Sequence, residues 1–359
     1  MKLTLQLQLL PTVEQKTALL QTMERFNAAA TYAAQVGFAA GVFGQVSIHH
    51  LAYTAIRARF GLSSQMAVRA MAKAVECFQR DKTVCPAFKP HSAICYDQRV
   101  LSFKGVHEVS LWALTGRLRM PFVCGAYQHA RQGRIQGQAD LVFRHGKLYL
   151  LCTIDMPEGA PITPVDVIGV DLGIVNLAVD STGETFSGSD VDATRERYAR
   201  RRRLLNKVGT KSARRRLTKI RTREASFRRN TNHVISKRLV LKAQGTPAAI
   251  ALEDLRGIRQ QGVTVRKAQR PRHTGWAFGQ LRAFVTYKAQ LAGMPLLLVD
   301  PRHTSQTCAV CGHCEKANRK SQAEFVCRHC GYAAGADYNA ARNIRFRAFV
   351  NTPMVGTLA

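Results

Sequence analysis

Three acidic residues stand at the ends of secondary-structure elements that the sequence predicts. Asp171 closes the apolar run Val-Ile-Gly-Val, Glu253 closes Ala-Ile-Ala-Leu, and Asp337 opens the helical stretch Asp-Tyr-Asn-Ala-Ala-Arg-Asn-Ile. Short apolar runs of this kind are typical of buried strands. Two strand ends and a helix start can meet at one edge of a sheet, and strands mixed with helices indicate an α/β domain. The three acids are therefore candidates for a single site.

Three carboxylates in one place would repel one another unless a cation binds them. Hard oxygen ligands favour Mg²⁺ or Mn²⁺, and two such ions about 4 Å apart would serve phosphodiester hydrolysis. Each acid also has an ordinary explanation: Asp171 could end its strand, Glu253 could pair with an arginine, and Asp337 could cap its helix. Asp254, next to Glu253, is the nearest competing ligand.

The ten cysteines fall into two groups. Five are scattered, which predicts buried thiols rather than a disulfide framework: Cys77, Cys85, Cys95, Cys124 and Cys152. Cys308 and Cys311 form one Cys-x₂-Cys pair, and Cys327 and Cys330 form a second pair after fifteen residues. This spacing predicts one structural Zn²⁺ with four thiolate ligands and no open position for catalysis. The ligand set could shift by one residue, because other candidates lie nearby: His313, Cys314 and His329.

The chain carries 53 Lys and Arg against 23 Asp and Glu, a formal charge of +30. A compact protein with this excess repels itself unless a polyanion offsets the charge, so nucleic acid is the expected partner. The sequence has no apolar run of about 18 residues and no secretory signal. We therefore expect a cytoplasmic protein with no membrane partner.

The strongest concentration of positive charge lies between Arg195 and Arg229. Apolar residues interrupt it at helical spacing: Leu204, Leu205, Leu217, Ile220 and Phe227. The pattern predicts a helical hairpin that buries one stripe and offers its cations to phosphates, although such a run is ordinarily a solvated helix face. The candidate nucleic-acid-binding residues are Arg200, Arg201, Arg202, Arg203, Lys207, Lys211, Arg214, Arg215, Arg216, Lys219, Arg221 and Arg223.

Two further features have competing explanations. His233 could serve as a general base, but a histidine that holds a helix against the sheet is the simpler explanation. The basic stretch Arg266 to Arg272 precedes Trp276 and Phe278. It could form a lid beside the carboxylates, with aromatic rings that stack on an unpaired base. Core packing explains Trp276 equally well.

The N-terminal half has the pattern of a small β-barrel or sheet with a helical insertion between its first and second strands. Leucines at every second position from Leu3 to Leu9 indicate a half-buried strand, helices follow up to residue 80, and short strands return after residue 86. Pro157 to Pro164 is the predicted linker to the α/β domain. We expect the barrel at 1–12 and 81–160, the helical insertion at 13–80, the α/β domain at 161–300 and 331–348, the zinc ribbon at 301–330 and a tail at 349–359.

Three motifs resemble, in order, the RuvC motifs of the TnpB family: Ile168-Gly169-Val170-Asp171-Leu172-Gly173, Leu252-Glu253-Asp254-Leu255 and Ala336-Asp337-Tyr338-Asn339-Ala340-Ala341. The cysteine pairs lie between the second and third motifs, as in that family, and their neighbours are similar to family sequence: Thr304-Ser305-Gln306-Thr307-Cys308 and Asn318-Arg319-Lys320-Ser321-Gln322. The likeness covers nearly the whole chain and is most specific in its second half. It assigns the catalytic and Mg²⁺-binding roles to Asp171, Glu253 and Asp337, and Zn²⁺ to the four paired cysteines.

The resemblance implies an α/β multidomain protein, with a wedge-like β-barrel and helical recognition insertion followed by an RNase H-like RuvC domain that contains a zinc ribbon. It implies RNA-guided cleavage of DNA next to a short adjacent motif in a prokaryotic cell. The implied partners are a guide RNA and double-stranded and displaced single-stranded target DNA; the implied cofactors are two Mg²⁺ or Mn²⁺ ions and one Zn²⁺. Pairing with the guide would read sequence while the protein binds backbone and A-form shape.

Three other functions stay open at this point. A miniature type V CRISPR effector shares the motifs and differs in its guide and genomic context. A nuclease-inactive RNA-guided DNA-binding repressor would have lost a carboxylate, whereas all three are present here. An unguided zinc-ribbon nucleic-acid binder leaves the carboxylate motifs unexplained. The oligomeric state is also open.

Overall fold

The computed structural model describes residues 1–173, 175–254 and 278–350. The chain forms two compact units, Met1–Met156 and Pro157–Ala359. No helix within the described ranges is both long and apolar enough to cross a membrane.

The first unit contains an antiparallel sheet of seven strands with helices inserted after its first strand. Its elements are β1 Lys2–Leu9, α1 Val13–Ala39, α2 Gln45–Phe60, α3 Ser64–Arg80, β2 Ile94–Tyr96, β3 Leu101–Lys104, β4 Glu108–Ala113, β5 Gly116–Val123, α4 Ala126–His129, β6 Ile135–Arg144 and β7 Lys147–Asp155. The strand order is β2-β6-β7-β1-β5-β4-β3. The predicted helical insertion is present, and the expected barrel or sheet is a single seven-stranded sheet with β2 and β3 at the ends of the strand order.

Local sequence explains several boundaries in this unit. Thr12 and Gln15 form the capping box that starts α1, with the Gln15 amide donating to Thr12 Oγ1 at 3.2 Å and the Thr12 amide donating to Gln15 Oε1 at 3.1 Å. The β6–β7 hairpin turns at His145 and Gly146, which both have positive φ, as a two-residue type I′ turn requires. Leu5, Leu7 and Leu9 are buried, as their alternation predicts.

The second unit is an α/β domain. Its elements are β8 Asp166–Asp171, β9 Asn176–Asp180, β10 Thr185–Ser187, α5 Ser189–Val208, α6 Lys211–Gly245, β11 Ala248–Glu253, α7 Phe278–Leu291, β12 Leu296–Val299, β13 Glu324–Val326, β14 Ala333–Gly335 and α8 Ala336–Val350. The main sheet has the order β10-β9-β8-β11-β12. β8, β11 and β12 are parallel, whereas β9 and β10 run antiparallel to their neighbours.

Both faces of this sheet are covered, which is why β8 and β11 are nearly continuous apolar runs. On one face, side chains of alternate residues such as Ile168 and Ile250 belong to a core that includes residues of α6 and α7. On the other face, Val167, Ala249 and Ala251 pack with residues of α8. The expected α/β class is therefore confirmed for this half of the chain.

The segment Pro157 to Pro164 is packed rather than a free linker. The amide of Gly159 donates to the carbonyl of Gln290 at 3.4 Å, and the amide of Ile162 donates to the carbonyl of Gly293 at 3.1 Å. A Cβ on Gly159 would lie 2.4 Å from the nitrogen of Gly293, which itself has a φ of +70°. Glycine is needed at both positions because the two backbones touch. Residues 157–160 therefore lie in the second unit.

Candidate metal centres

The two strand acids lie at the same edge of the five-stranded sheet. β8 and β11 are parallel neighbours with Val170 opposite Leu252, so Asp171 and Glu253 end adjacent strands. Side chains alternate along a strand. Asp171 and Glu253 therefore share a face with Val167 and Ala251, the face that α8 covers.

Asp337 reaches this edge from α8, where it is the second residue. The helix approaches β8 closely at Gly169, where a Cβ would lie 2.2 Å from the carbonyl oxygen of Ala341 and 2.4 Å from the backbone nitrogen of Arg345. Any side chain at Gly169 would push α8 away from the strand that carries Asp171. The glycine of the Ile-Gly-Val-Asp motif thus sets the distance between two of the three acids.

The electrostatics of Asp171 indicate that both other acids lie near it. Burial raises the pKa of Asp171 to about 8; the negative charges of Glu253 and Asp337 act in the same direction, and the positive charge of Arg319 opposes them. Burial also raises the pKa of Glu253, against the lowering effect of a hydrogen bond from Thr304. A raised pKa of this kind is typical of half-buried carboxylates with like-charged neighbours.

Two polar side chains that the sequence did not single out hold these acids. Thr304 is buried, and its hydroxyl donates to Oε1 of Glu253 at 2.5 Å. The side-chain amide of Asn176 donates to Oδ2 of Asp337 at 2.9 Å. Thr304 stands in the family-like segment before Cys308, and Asn176 follows Gly173 by three residues. Their positions next to the motifs were the only sequence signal that could have pointed to these two residues. Which acid each of them contacts depends on the fold.

Asp254 has a different environment. Its Oδ1 accepts a hydrogen bond from the guanidinium of Arg282 at 3.0 Å, as part of an ion pair. Its backbone nitrogen donates to the carbonyl of Val299 on β12. This ion pair favours Glu253 over its neighbour as the acid of the cluster.

The four paired cysteines form the second centre. Their sulfurs all lie within 4.8 Å of one another, and within the described ranges no other three or more Cys, His, Asp or Glu side chains meet this condition. The Sγ atoms of Cys308 and Cys330 are 3.7 Å apart, and those of Cys311 and Cys327 are 3.5 Å apart. The arrangement fits a structural zinc site, as the spacing predicts. His313, Cys314 and His329 are not part of it.

Side-chain amides connect the cysteine cluster to α8. Asn339 accepts from the backbone nitrogen of Ala309 at 3.0 Å and donates to the carbonyl of Thr307 at 2.8 Å. Asn343 donates to the carbonyls of Thr304 and Thr307 at 2.8 and 2.6 Å. The loop that carries the first cysteine pair is thus fixed to the helix of Asp337, and the same loop carries Thr304 to Glu253.

The segment between the cysteine pairs brings a cation to the carboxylates. Arg319 lies close enough to lower the pKa of both Asp171 and Glu253. Its neighbour Asn318 is fully buried, donates to the carbonyls of Gln306 and His313 at 3.1 Å each, and accepts from the backbone nitrogen of Arg328 at 2.9 Å. The folded cysteine loop therefore positions Arg319.

The basic region forms the expected helical hairpin, α5 and α6, which joins at Gly209 and Thr210. Leu217 and Ile220 are buried, but Leu204 is 59% exposed, so the predicted apolar stripe on α5 is narrower than its spacing suggested. Arg202 pairs with Glu224 across the hairpin. The other eleven candidate cations are exposed to solvent.

His233 packs a helix against a helix rather than against the sheet. Its ring stacks on Phe284 of α7 with centroids 3.9 Å apart, and its carbonyl accepts from Nζ of Lys288 at 2.7 Å. Burial and the nearby cations Lys288 and Arg229 lower its pKa. The packing interpretation is therefore supported. The basic stretch Arg266 to Arg272 and Trp276 lie outside the described residues, and Phe278 begins α7.

Two family models match the parts of the chain that contain these two centres. Residues 152–256, which contain Asp171 and Glu253, match the family model described as "Probable transposase". Residues 278–344, which contain the cysteine cluster and Asp337, match the model described as "Cas12f1-like, TNB domain". The resemblance inferred from the three motifs is thereby confirmed.

Individual relatives are consistent with this. The chain is 32% identical over 219 residues to the CRISPR-associated endodeoxyribonuclease Cas12f1 of Sulfoacidibacillus thermotolerans, covering 56% of this chain and 50% of that one. It is 34% identical over 112 residues to the TnpB-like protein MJ0751 of Methanocaldococcus jannaschii, covering 31% and 40%. The chain thus spans about half the length, or less, of these curated relatives.

A solved structure supports the fold. The protein in the cryo-EM structure of a Cas12f1-sgRNA-target DNA complex superposes with a TM-score of 0.63 and 16% identity, over 93% of this chain and 83% of that one. At this identity the likeness establishes the fold alone.

Proposed function

We propose that this protein is an RNA-guided DNA endonuclease of the TnpB type, which cleaves DNA next to a short adjacent motif in a single RuvC site. The observation that carries the proposal is the convergence of Asp171, Glu253 and Asp337 at one edge of the sheet. The named relatives, one CRISPR-associated endodeoxyribonuclease and one TnpB-like protein, support the same activity.

The three carboxylates would hold Mg²⁺ or Mn²⁺. The donor set fits a divalent cation. Burial and the negative charges of Glu253 and Asp337 raise the pKa of Asp171 to about 8, and the positive charge of a bound cation would offset both effects. When bound, two such ions would activate water and stabilise the leaving oxygen. Thr304 and Asn176 orient Glu253 and Asp337 by occupying one oxygen of each. Arg319 places a positive charge beside the site, where a phosphodiester would bind.

The remaining parts have distinct roles in this proposal. The first unit supplies the wedge-like sheet, residues 1–12 and 81–156, and the recognition insertion, 13–80. The second unit is the RuvC-like domain, and its Cys308–Cys330 segment is a zinc ribbon that folds around one ion. The α5–α6 hairpin binds the phosphates of guide RNA or target DNA, because its exposed guanidinium groups match phosphate geometry. Such a complex works in the cytoplasm of a prokaryote.

The runner-up is a miniature type V CRISPR effector, which the Cas12f1 relative favours. The two differ in the source of the guide. A nuclease-inactive RNA-guided repressor is disfavoured by the presence and convergence of all three carboxylates.

One experiment tests the proposal. The protein is purified from cells that carry its native flanking DNA, bound RNA is sequenced, and the complex is incubated with Mg²⁺ and plasmids bearing a matched or mismatched target. Cleavage of only the matched plasmid, lost on chelation, is the expected result. RNA derived from a CRISPR array would establish the runner-up. Bound RNA without cleavage would establish the repressor, and no RNA would reject guidance.

Thr304→Val should weaken metal binding without weakening RNA binding. Valine keeps the shape but removes the donor to Glu253, so the pKa of that carboxyl rises further and its proton competes with the ion up to a higher pH. Loss of such a supporting partner typically costs about 10- to 100-fold in metal affinity or activity. The Mg²⁺ concentration for half-maximal cleavage should rise, and the acidic side of the pH–activity profile should shift to higher pH. Thr304→Ser keeps the hydroxyl donor and should show the wild-type Mg²⁺ requirement and pH profile.

Changing Arg214, Arg215 and Arg216 to Gln should make nucleic-acid binding less salt-dependent. Each lost phosphate contact should reduce the slope of log K against log salt by roughly 0.9 on duplex DNA. Fluorescence anisotropy between low and physiological salt measures the slope. Arg202→Gln is the control, because Arg202 is already paired with Glu224; a slope change of roughly 0.9 in that single variant would contradict the assignment of the exposed cations.

A further inference from the structure

A cavity adjoins the carboxylate cluster in the second unit. It has a volume of about 210 Å³ and opens to solvent between the β9–β10 hairpin, the β13 end of the cysteine loop and the first turn of α8. Asp337 forms part of its wall, so any ligand that occupies it lies beside the proposed metal ions.

The wall combines apolar, aromatic and amide groups. Val175 and Ala323 contribute apolar surface, Asn176 and Gln322 contribute side-chain amides, and Tyr338 contributes an aromatic ring. Val175 is 51% exposed, so its apolar surface is open to a ligand in the cavity. A cavity with apolar walls, an aromatic ring and a few polar groups suits one nucleobase.

The guanidinium of Arg342 flanks the ring of Tyr338. The guanidinium of Arg342, one helical turn later, lies 6.0 Å from the centre of its ring and 5.7 Å from the centre of the Tyr332 ring. Arg342 also donates to the hydroxyl of Tyr332 at 3.0 Å. Stacking on an aromatic ring tolerates every base because each base has a π-face.

We propose that this cavity is a base-binding subsite for the nucleotide next to the phosphodiester that the carboxylates cleave. The inference rests on the proposed function for its DNA substrate. Stacking at this point would draw a single strand past Asp337 and fix the position of the scissile phosphate without selecting a sequence. The subsite would favour an unpaired base, since a paired base cannot enter a cavity of this size.

The binding test uses single-stranded DNA that carries 2-aminopurine at one position at a time. The full chain, with its copurified RNA, is titrated into each strand in Ca²⁺, a hard ion of the same ligand preference. Fluorescence should fall at one position because the base stacks on Tyr338. Ala323→Phe, which fills the cavity, and Tyr338→Ala should abolish that change, whereas Tyr338→Phe should keep it. Ala333→Phe adds the same bulk to exposed β14 and serves as the matched control.

The cleavage test replaces the responding nucleotide with an abasic site in Mg²⁺. The wild-type kcat/KM should fall about tenfold at that position alone, in line with the worth of one stacked base, while the Ala323→Phe variant should show no further loss. A fluorescence profile without a responding position, or an equal loss in the Ala333→Phe control, would overturn the subsite. If wild type does not cleave at all, the proposed function fails, and the fluorescence profile still decides the subsite.

Discussion

Asp171→Asn is expected to abolish cleavage while RNA-guided binding persists. The substitution keeps the shape of the side chain and removes the negative charge that a divalent ion needs. Metal ions supply several kcal/mol of transition-state stabilisation, so the cleavage rate should fall at least about 10³-fold. Single-turnover cleavage with a matched plasmid measures this. RNA binding should be unchanged because the exposed cations of the α5–α6 hairpin are untouched.

The same variant should be more stable than wild type when no divalent ion is present. The folded pKa of Asp171 is about 8, above its unfolded value, so the folded state holds a proton that the unfolded state loses as the pH rises. Wild-type stability therefore falls between about pH 4 and pH 8 through this group, and asparagine removes that loss. Thermal melts with EDTA at pH 8 should show a higher Tm for Asp171→Asn.

Asp254→Asn is the matched control for both measurements. Asp254 directly follows Glu253 in the second motif, and it forms an ion pair with Arg282. It should keep cleavage activity and gain no stability. If Asp254→Asn were inactive and Glu253→Gln active, the assignment of the second metal ligand would be wrong.

The sequence predicted the edge at which the acids meet because the necessary information is local. Each acid directly follows a strand-like run or opens a helix, and parallel neighbours place their ends together. The need for glycine at position 169 could not be predicted from the sequence. It arises because the backbone of α8, some 170 residues later in the chain, passes directly over this residue.

The supporting residues could not be predicted for a related reason. Thr304 and Glu253 are 51 positions apart, and Asn176 and Asp337 are 161 apart. A threonine before a cysteine pair is equally compatible with a turn, so only the fold shows which carboxylate it contacts. Periodicity also overestimated burial at Leu204, because a spacing rule predicts which residues share a helix face but not whether another element covers that face.

These contacts make the cysteine cluster part of the carboxylate site. The cysteine loop positions Arg319 near Asp171 and Glu253, and its approach carries Thr304 to Glu253. Asn339 and Asn343 attach the same loop to the helix of Asp337. A structural ion that folds this loop would therefore control the geometry of a centre in which it takes no chemical part.

Cys311→Ser should for this reason lose both zinc and cleavage. Binding of structural zinc is worth about 10–16 kcal/mol in small zinc domains, and a loop with a small core of its own, centred on Phe325, should unfold locally without it. We expect the zinc content measured by mass spectrometry to fall from one equivalent per chain toward zero, and the cleavage rate to fall on the order of 100-fold as Thr304 and Arg319 lose their positions. Binding of RNA through α5 and α6 should remain.

Cys314→Ser provides the control, because Cys314 is three residues away and outside the cluster. It should retain one equivalent of zinc and full cleavage. A Cys311→Ser protein that keeps its zinc would show that the ligand set is shifted, with Cys314 or a neighbouring histidine in place of Cys311. A protein that loses its zinc but cleaves at the wild-type rate would show that Thr304 and Arg319 hold their positions without the ion, and the coupling between the two centres would then be wrong.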